Sequence, residues 1–455
     1  MPKEIRINAF NMNCVGHQCP GLWRHPRDRA SEYTSLAYWQ ELAKTLERGK
    51  FDGIFLADVT GVYDVYGGSP DAALKVGLQV PVNDPFLVVP AMAAVTEHLG
   101  FGVTASISTE PPYTFARRMS TLDHLTQGRA GWNIVTGYLN SSAKGSGQAK
   151  QKSHDLRYEI AAEYMDIMYQ LWEGSWEDDA VRRDKAAGIF TDPSKVHAVR
   201  HDGEYFRVEG IHLSEPSPQR TPVLYQAGTS SKGLEFAGRH AECVFIGGPT
   251  KEMLANAVRK IRQAAVAQGR NPADIQVFAM MTVVAAPTDA QAREKVEEYR
   301  RHISTEGALA LLSGFTGVDF SAFDPAEPVK HIRNDSIHTA IDRFTVADPS
   351  RVWTVGEVAE HMGFGGSGPL VHGSPETVAR ELQEWVEATD IDGYNLNYTV
   401  AHEGINDFVD LVVPALQERG VYKTSYAGGA LRNKLFGSGP RLKAPHYGAQ
   451  FGRNR

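Results

Sequence analysis

Cysteine is scarce, with three in 455 residues. Three thiols cannot build the disulfide framework of a small secreted domain, and so few fit a reducing cytoplasm. Basic charge is not in surplus either. Lys and Arg total 47 against 54 Asp and Glu, a formal charge of −7, which leaves no excess to neutralise a phosphate backbone or an anionic lipid surface. Nucleic acid and membrane are therefore not expected as partners. No apolar run approaches the roughly 18 residues of a membrane span, and the opening "MPKEIRINAF" lacks the apolar core of a signal peptide. What is present is a chain 42% hydrophobic and 22% charged, able to bury one large core or two ordinary ones. The expectation is a cytoplasmic globular protein.

Short apolar runs rich in Val, Ile and Phe alternate with longer segments of helical period. Eight runs read as strands: "IRINAF" (5–10), "FDGIFLAD" (51–58), "GFGVTASIS" (100–108), "AGWNIVTG" (130–137), "TPVLYQAG" (221–228), "AECVFIGG" (241–248), "IQVFAMMTVVA" (275–285) and "DGYNLNYT" (392–399). Between them, "SLAYWQELAKTLERGK" reads as a helix ending at Gly49, and "NDPFLVVPAMAAVTEHLG" as one capped by Asp84 with Pro85 at its first position. Comparable signals bracket 113–127, 155–173, 231–239, 251–268, 375–389 and 405–419. Helical crossovers imply parallel pairing. Eight strand–helix units close most economically into an α/β fold of the (β/α)8 TIM-barrel type, with an open doubly wound sheet as the competing arrangement. We expect one catalytic barrel domain over 1–420, with insertions at 138–220 and 304–372 on the C-terminal face of the strands. Residues 421–455 read as a tail lacking core periodicity.

Two motifs require a decision. "GFGGSG" (363–368) matches G-x-G-x-x-G, but a dinucleotide site needs a strand before the glycines and a helix after them. Here "VGEVAEHM" precedes with helical character and Pro369 follows, so a flexible lid segment is expected and NAD(P)H is not. "NAFNMNCVGHQCPGLWRHP" (8–26) crowds Cys14, His17, Cys19 and His25 together. Structural zinc sites read as paired ligand units, and C-x2-H-x-C has no second pair, so a loop on the barrel rim is expected rather than a metal centre. A metal-dependent barrel hydrolase remains a competing class, although such barrels show H-x-H at the first strand where this chain has Asn8, Ala9 and Phe10.

Barrel active sites are built from the C-terminal ends of the strands. Those ends hold Asn11, Cys14 and His17; Asp58, Tyr63 and Gln79; Thr104 and Ser106; Asn133, Thr136 and Tyr138; and Gly228, Thr229, Ser230 and Ser231. In "QAGTSSKGLEFAGRH" the fifth strand runs into a helix N-terminus, whose free N–H groups and Ser/Thr hydroxyls form an anion site suited to a phosphate, or else an ordinary Ser cap.

The runs "LERGKFDGIFLADVTGVYDVYGGS", "AAVTEHLGFGVTAS", "ARRMSTLDHLTQGRAGWNIVTGYLNS", "YMDIMYQLWEGSWEDDAV" and "EPSPQRTPVLYQAG", together with the opening cysteine segment, resemble the bacterial luciferase-like FMN-dependent monooxygenases. The resemblance extends to about residue 440 and is closest to the branch holding the dimethyl sulfide, long-chain alkane and nitrilotriacetate enzymes. It implies a two-component oxidoreductase. Reduced FMN (FMNH2) comes from a separate NAD(P)H-dependent flavin reductase, and one oxygen atom of O2 goes to a small organic substrate; a homo-oligomer, dimer or tetramer, is the expected assembly. Carried over position by position, Asp58, Thr104, Ala105, Asn133 and Thr136 would hold the flavin ring. Tyr158, Ala227, Gly228, Ser230 and Ser231 would hold the phosphate end. His17, Cys14, Tyr63, Gln79 and Tyr138 would form the catalytic, substrate-facing set, with His17 a donor or proton relay and Cys14 a small apolar wall. Tyr138 and Leu311 stand where the alkane enzyme has histidines, which points away from alkanes. With no Arg or Lys at the strand ends, an alkyl sulfide is expected before an aminopolycarboxylate, unless a lid residue such as Arg333 supplies charge.

Overall fold

The computed structural model describes residues 3–329 and 352–453. Its strands are β1 Arg6–Met12, β2 Gly53–Ala57, β3 Gly100–Ser106, β4 Ala130–Val135, β5 Val181–Asp184, β6 Ile189–Thr191, β7 Val199–Asp202, β8 Arg207–Gly210, β9 Val223–Gln226, β10 Cys243–Ile246, β11 Gln276–Ala285, β12 Leu370–Gly373 and β13 Gly393–Asn397. Eight of them pair in parallel in the cycle β1-β2-β3-β4-β9-β10-β11-β13 and back to β1, a closed (β/α)8 barrel. Each of the eight runs read from the sequence holds one of these strands. A barrel has no sheet edge, so all eight strands are covered outside by helices and filled inside by side chains.

Alternation along each strand divides the two faces. Ile7 and Ala9, Ile54 and Leu56, and Phe101 and Val103 join the large outer core beneath the helices. Phe10, Phe55, Tyr225, Phe245 and Phe278 form a separate aromatic cluster filling the barrel interior. Tyr225 and Phe245 stack with centroids 5.4 Å apart. The 421–455 segment, read as a tail without core periodicity, supplies the floor of this cluster. Its helix Leu431–Phe436 inserts Leu431 and Leu435, and Arg432, 2% exposed, donates to both carboxylate oxygens of Glu242. Six helical residues are too short for a periodicity to register.

Other differences have local causes. The helix expected over 83–100 keeps its Asp84 cap, which accepts from the Phe86 amide, but its α-helical part is only Val89–Ala93. The buried Arg129 guanidinium donates to Ala93 O, Leu99 O and Thr96 Oγ1, taking over carbonyls that another turn would have bonded. Helices Asp289–Arg300 and Thr305–Thr316 were not anticipated, nor was β12, which extends the sheet along the far half of β11. The 138–220 insertion divides. Tyr138 and Ser141 bond the loop after β2, at Tyr63 and Val62 N, while hairpin β7–β8 and the residues after it pack beside the helices Pro112–Leu125 and His154–Tyr169, through Tyr113 to Ile211 O, Ser120 to His212 and Glu163 to His201.

"GFGGSG" lies between the helix Val355–Gly363 and a strand, not between a strand and a helix. It is tied to the barrel mouth: Gly365 N donates to Gln18 O, and Asn397 Nδ2 donates to Gly365 O. Part of the expected lid, 330–351 with Arg333, lies outside the described residues. No helix among the described residues is long and apolar enough to cross a membrane.

Candidate active site

The loop after β1 and the loop after β2 are stitched together by isolated bridges, Cys14 with Val82 and Gly16 with Leu78. That pairing brings Cys14, His17 and Gln79 to one wall of the mouth. Gln79 Nε2 donates to His17 O at 3.1 Å, and Tyr63 OH donates to Gln79 Oε1 at 3.0 Å. Tyr63 and Tyr138 share a hydroxyl–hydroxyl bond of 2.6 Å. The result is a chain of neutral donors and acceptors from the rim inward, with Tyr138 44% exposed and Tyr63 buried.

Tyr63 seats against the helix Thr305–Thr316 only because residue 314 is glycine; a Cβ there would meet Tyr63 Cδ1 at 1.9 Å. The same helix buries Leu311 in the cluster holding Tyr63, and Phe315 faces Tyr63 and Tyr138 at 6.0 Å each. The wall is aromatic and aliphatic with hydroxyl tips. Phe315 was missed by sequence reasoning, because only the close approach at Gly314 locates it.

Protonation follows burial. Desolvation pushes His17 down to about 3, so the ring is neutral at pH 7. Gln18 Nε2 lies 3.3 Å from His17 Nε2, and Phe10 packs edge-on at 4.4 Å. Of the two roles that the resemblance implies for His17, donor and proton relay, a ring kept neutral by burial suits the hydrogen-bond donor. Burial also drives the Cys14 thiol far above its usual range, and Sγ donates to Gly16 O. It is a protonated wall group, poorly suited as a nucleophile. Cys19 turns elsewhere, toward Tyr398 O. Among the described residues no group of three or more His, Cys, Asp or Glu could hold a metal ion.

Across the mouth, Thr104 and Asn133 are register partners. Asn133 Nδ2 donates to Thr104 Oγ1 at 3.0 Å, leaving Asn133 Oδ1 buried without a partner. Ala105 points outward into the helical layer, so only its backbone can face the mouth. Thr136 holds Ser108 through its carbonyl. Asp58, half-buried, is pushed up to about 7 by burial and by the Asp84 carboxylate.

The third part is the start of the helix Ser231–His240. Ser230 caps it, accepting from Gly233 N at 3.1 Å, and lies 3.1 Å from His154 Nε2. Ala227 and Ser231 are exposed beside it. A Cβ on Gly228 would meet Gln226 Nε2 at 2.4 Å and Tyr158 OH at 2.8 Å, so glycine keeps this cradle open. Gln226 Oε1 and Arg157 Nε are buried without partners. A buried donor or acceptor left unpaired costs about 1–3 kcal/mol, and a helix N-terminus with unpaired groups around it is built for an anion. The structure thus brings Tyr158, Gly228, Ser230 and Ser231 together. Sequence reasoning missed His154, Arg157 and Gln226; the i, i+4 spacing of His154 and Tyr158 was the available signal.

The family described as luciferase-like monooxygenase matches residues 21–391. The chain is 50% identical over 452 residues to the dimethyl-sulfide monooxygenase of Hyphomicrobium sulfonivorans, covering 99% of this chain and 94% of that one. The crystal structure of DmoA from the same organism superposes with a TM-score of 0.93, over 99% of this chain and 96% of that one. Identity is also 50%, over 454 residues, to the long-chain alkane monooxygenase of Geobacillus thermodenitrificans, covering 99% and 98% of the two chains. It is 33% over 422 residues to nitrilotriacetate monooxygenase component A of Aminobacter aminovorans, covering 91% and 93%.

Proposed function

The chain belongs to the luciferase-like monooxygenase family and is an oxidoreductase; from that premise we propose that it uses reduced FMN and O2 to oxygenate a small, weakly polar substrate of the alkyl sulfide class. It takes FMNH2 from a separate NAD(P)H-dependent flavin reductase, in the cytoplasm, as a dimer or tetramer. That one relative is named as a component supports the division of labour. When bound, the reduced flavin would supply the electrons and the site at which O2 is activated.

The observation that carries the reading is the set of buried polar atoms without partners around one barrel mouth: Gln226 Oε1, Arg157 Nε and Asn133 Oδ1. They fit a phosphorylated, polar-edged cofactor. Ser230, Ser231, Gly228 and Tyr158 would hold the phosphate; Asp58, Thr104, Asn133, Thr136 and the Ala105 backbone would face the ring. Both groups would be neutral or hydrogen-bonded in that setting, with Asp58 able to carry a proton near pH 7.

The opposite wall would bind substrate. Tyr63, Tyr138 and Gln79 offer oriented neutral donors, His17 is neutral, and the buried Cys14 and Leu311 exclude water behind a half-exposed Phe315. A reactive oxygenating site must be dry, and uncharged donors remain effective where water is absent. A polycarboxylate there would need charge-assisted partners, and this wall offers no Arg or Lys among its described residues. The identity to the alkane enzyme equals that to the sulfide enzyme, so substrate class rests on the wall and not on the relatives.

The test offers dimethyl sulfide, a long alkane and nitrilotriacetate, each with FMN, a reductase and NADH, and scores oxygenated product. Sulfoxidation or other oxygenation of dimethyl sulfide above the others is expected. Oxidation of nitrilotriacetate alone would overturn the weakly polar pocket. NADH oxidation by the chain without a reductase would overturn the two-component assignment.

A further inference from the structure

At the other end of the Ser231–His240 helix, a cavity of about 500 Å³ opens between that helix, the turn after Lys251–Ala267 and the C-terminal segment, lined by Arg239, Gln268, Arg270, His446, Tyr447 and Gln450 among others. None of its lining residues belongs to the barrel mouth.

Its lining carries charge of one sign, two arginines and no acid. The Arg239 guanidinium lies 3.7 Å from the centre of the Tyr447 ring, a cation–π contact that holds the planar group in place. Its Nε is buried without a hydrogen-bond partner. Arg270, 5% exposed, is fixed from behind: Nη1 donates to Gly238 O and Ala241 O, and Nη2 to Asp274 O. Its Nε is likewise buried and unpaired. The nearby acids are committed elsewhere. Glu242 is held by Arg432, and Asp166 accepts from Tyr447 OH. His446 bonds the His240 carbonyl through Nε2 and accepts from Gly448 N through Nδ1, so it is neutral and adds no charge.

Two guanidinium groups line one cavity that no acid lines, and Arg239, stacked on Tyr447, is the one whose Nη groups are not taken up by backbone carbonyls as those of Arg270 are. Arginine recognises planar or tetrahedral oxyanions through paired N–H donors, and the volume lies within the range of small-molecule sites. We propose that this cavity binds a small oxyanion-bearing metabolite, a phosphate or carboxylate compound, independently of the barrel mouth. Arg239 takes the oxyanion, Arg270 adds positive charge from behind it, and Gln268 and Gln450, at the exposed rim, take the remainder of the molecule.

The test titrates the full chain by calorimetry with pyrophosphate, ADP and citrate, with and without FMN to block the cradle at Ser230. The wild-type chain is expected to bind at least one of the three with FMN present, citrate distinguishing a carboxylate ligand from a phosphate one. Arg239→Gln should weaken that binding at least about tenfold, and Gln268→Glu, at an exposed position, should weaken it as well by adding like charge. Flavin-dependent turnover should be unchanged in both. Absence of binding with FMN present, or binding that both variants leave intact, overturns the proposal. So does sedimentation showing that Arg239→Gln dissociates an oligomer, which would make the cavity a contact between copies of the chain.

Discussion

The two ends of the barrel both bury carboxylates and shift them in opposite directions. At the closed end Arg432 donates to both Glu242 oxygens and to Thr221 O and Pro222 O, and Asp52 accepts from Ile7 N beside Arg6 and Lys423. Burial alone would raise the Glu242 carboxyl, yet the Arg432 guanidinium holds it below its usual range. At the mouth Asn133 Oδ1, Gln226 Oε1 and Arg157 Nε lack partners, and Asp58 is pushed up to about 7. The carboxylates of the floor are paired by the protein itself, whereas the carboxylate and the orphaned amides of the mouth are left for a ligand. Stability should therefore respond to changes at the floor, and binding to changes at the mouth.

The largest expected effect tests the floor. Arg432→Met leaves Glu242 buried and unpaired, and should lower unfolding free energy by about 3–5 kcal/mol, read as a shift in denaturant midpoint. Flavin affinity of the molecules that remain folded should not change. A large loss of flavin affinity at unchanged stability would reverse the contrast.

Ser230→Ala tests the mouth. Loss of a charge-assisted bond to phosphate should weaken FMN binding by about 1.5–3 kcal/mol, measured by fluorescence titration. Because Ser230 also caps the helix, a stability loss of about 0.5–2 kcal/mol accompanies it. Unchanged FMN affinity would remove Ser230 from the cradle.

A pH series sharpens the contrast further. Asp58 has a folded value of about 7 against about 3.9 unfolded, so the native state keeps a proton that the unfolded chain loses. Its contribution is fully present below about pH 4 and is lost as pH rises through 7. Asp58→Asn should accordingly raise Tm at pH 8 and leave it nearly unchanged at pH 4. Equal shifts at both would mean that Asp58 is not raised.

Tyr138→Phe should cost the least. Deleting one hydroxyl from the Tyr63–Tyr138 pair is worth about 0.5–1.5 kcal/mol, roughly two- to tenfold in kcat/KM for the sulfide, with a loss of stability no larger than that because Tyr63 still donates to Gln79. A chelator should have no effect on Tm, since the Cys14 and Cys19 thiols bond separate carbonyls.

The barrel was legible in the sequence because its determinants are local. Short apolar runs rich in Val, Ile and Phe, Asp84 as a cap, Gly49 after Leu36–Arg48 and Ser230 before Ser231–His240 each depend on neighbours within a few residues. Elements whose partners are distant were not. The five residues of Val89–Ala93 end where Arg129 takes the Ala93 carbonyl, β12 exists because β11 runs on past the barrel wall, and Leu431–Phe436 is helical where it can insert Leu431 and Arg432 into the floor.

The site divides in the same way. Composition and strand ends nominated Tyr63, Gln79, Tyr138, His17 and Ser230. Only packing decided that Tyr63 and Tyr138, 75 residues apart, share a hydrogen bond, that His17 is neutral, and that His154 and Gln226 join the Ser230 cradle. The physical reason is that backbone propensity and amphipathic period are set by covalent neighbours, whereas protonation state, orphaned polar atoms and side-chain pairing are set by burial, which exists only once the barrel has closed.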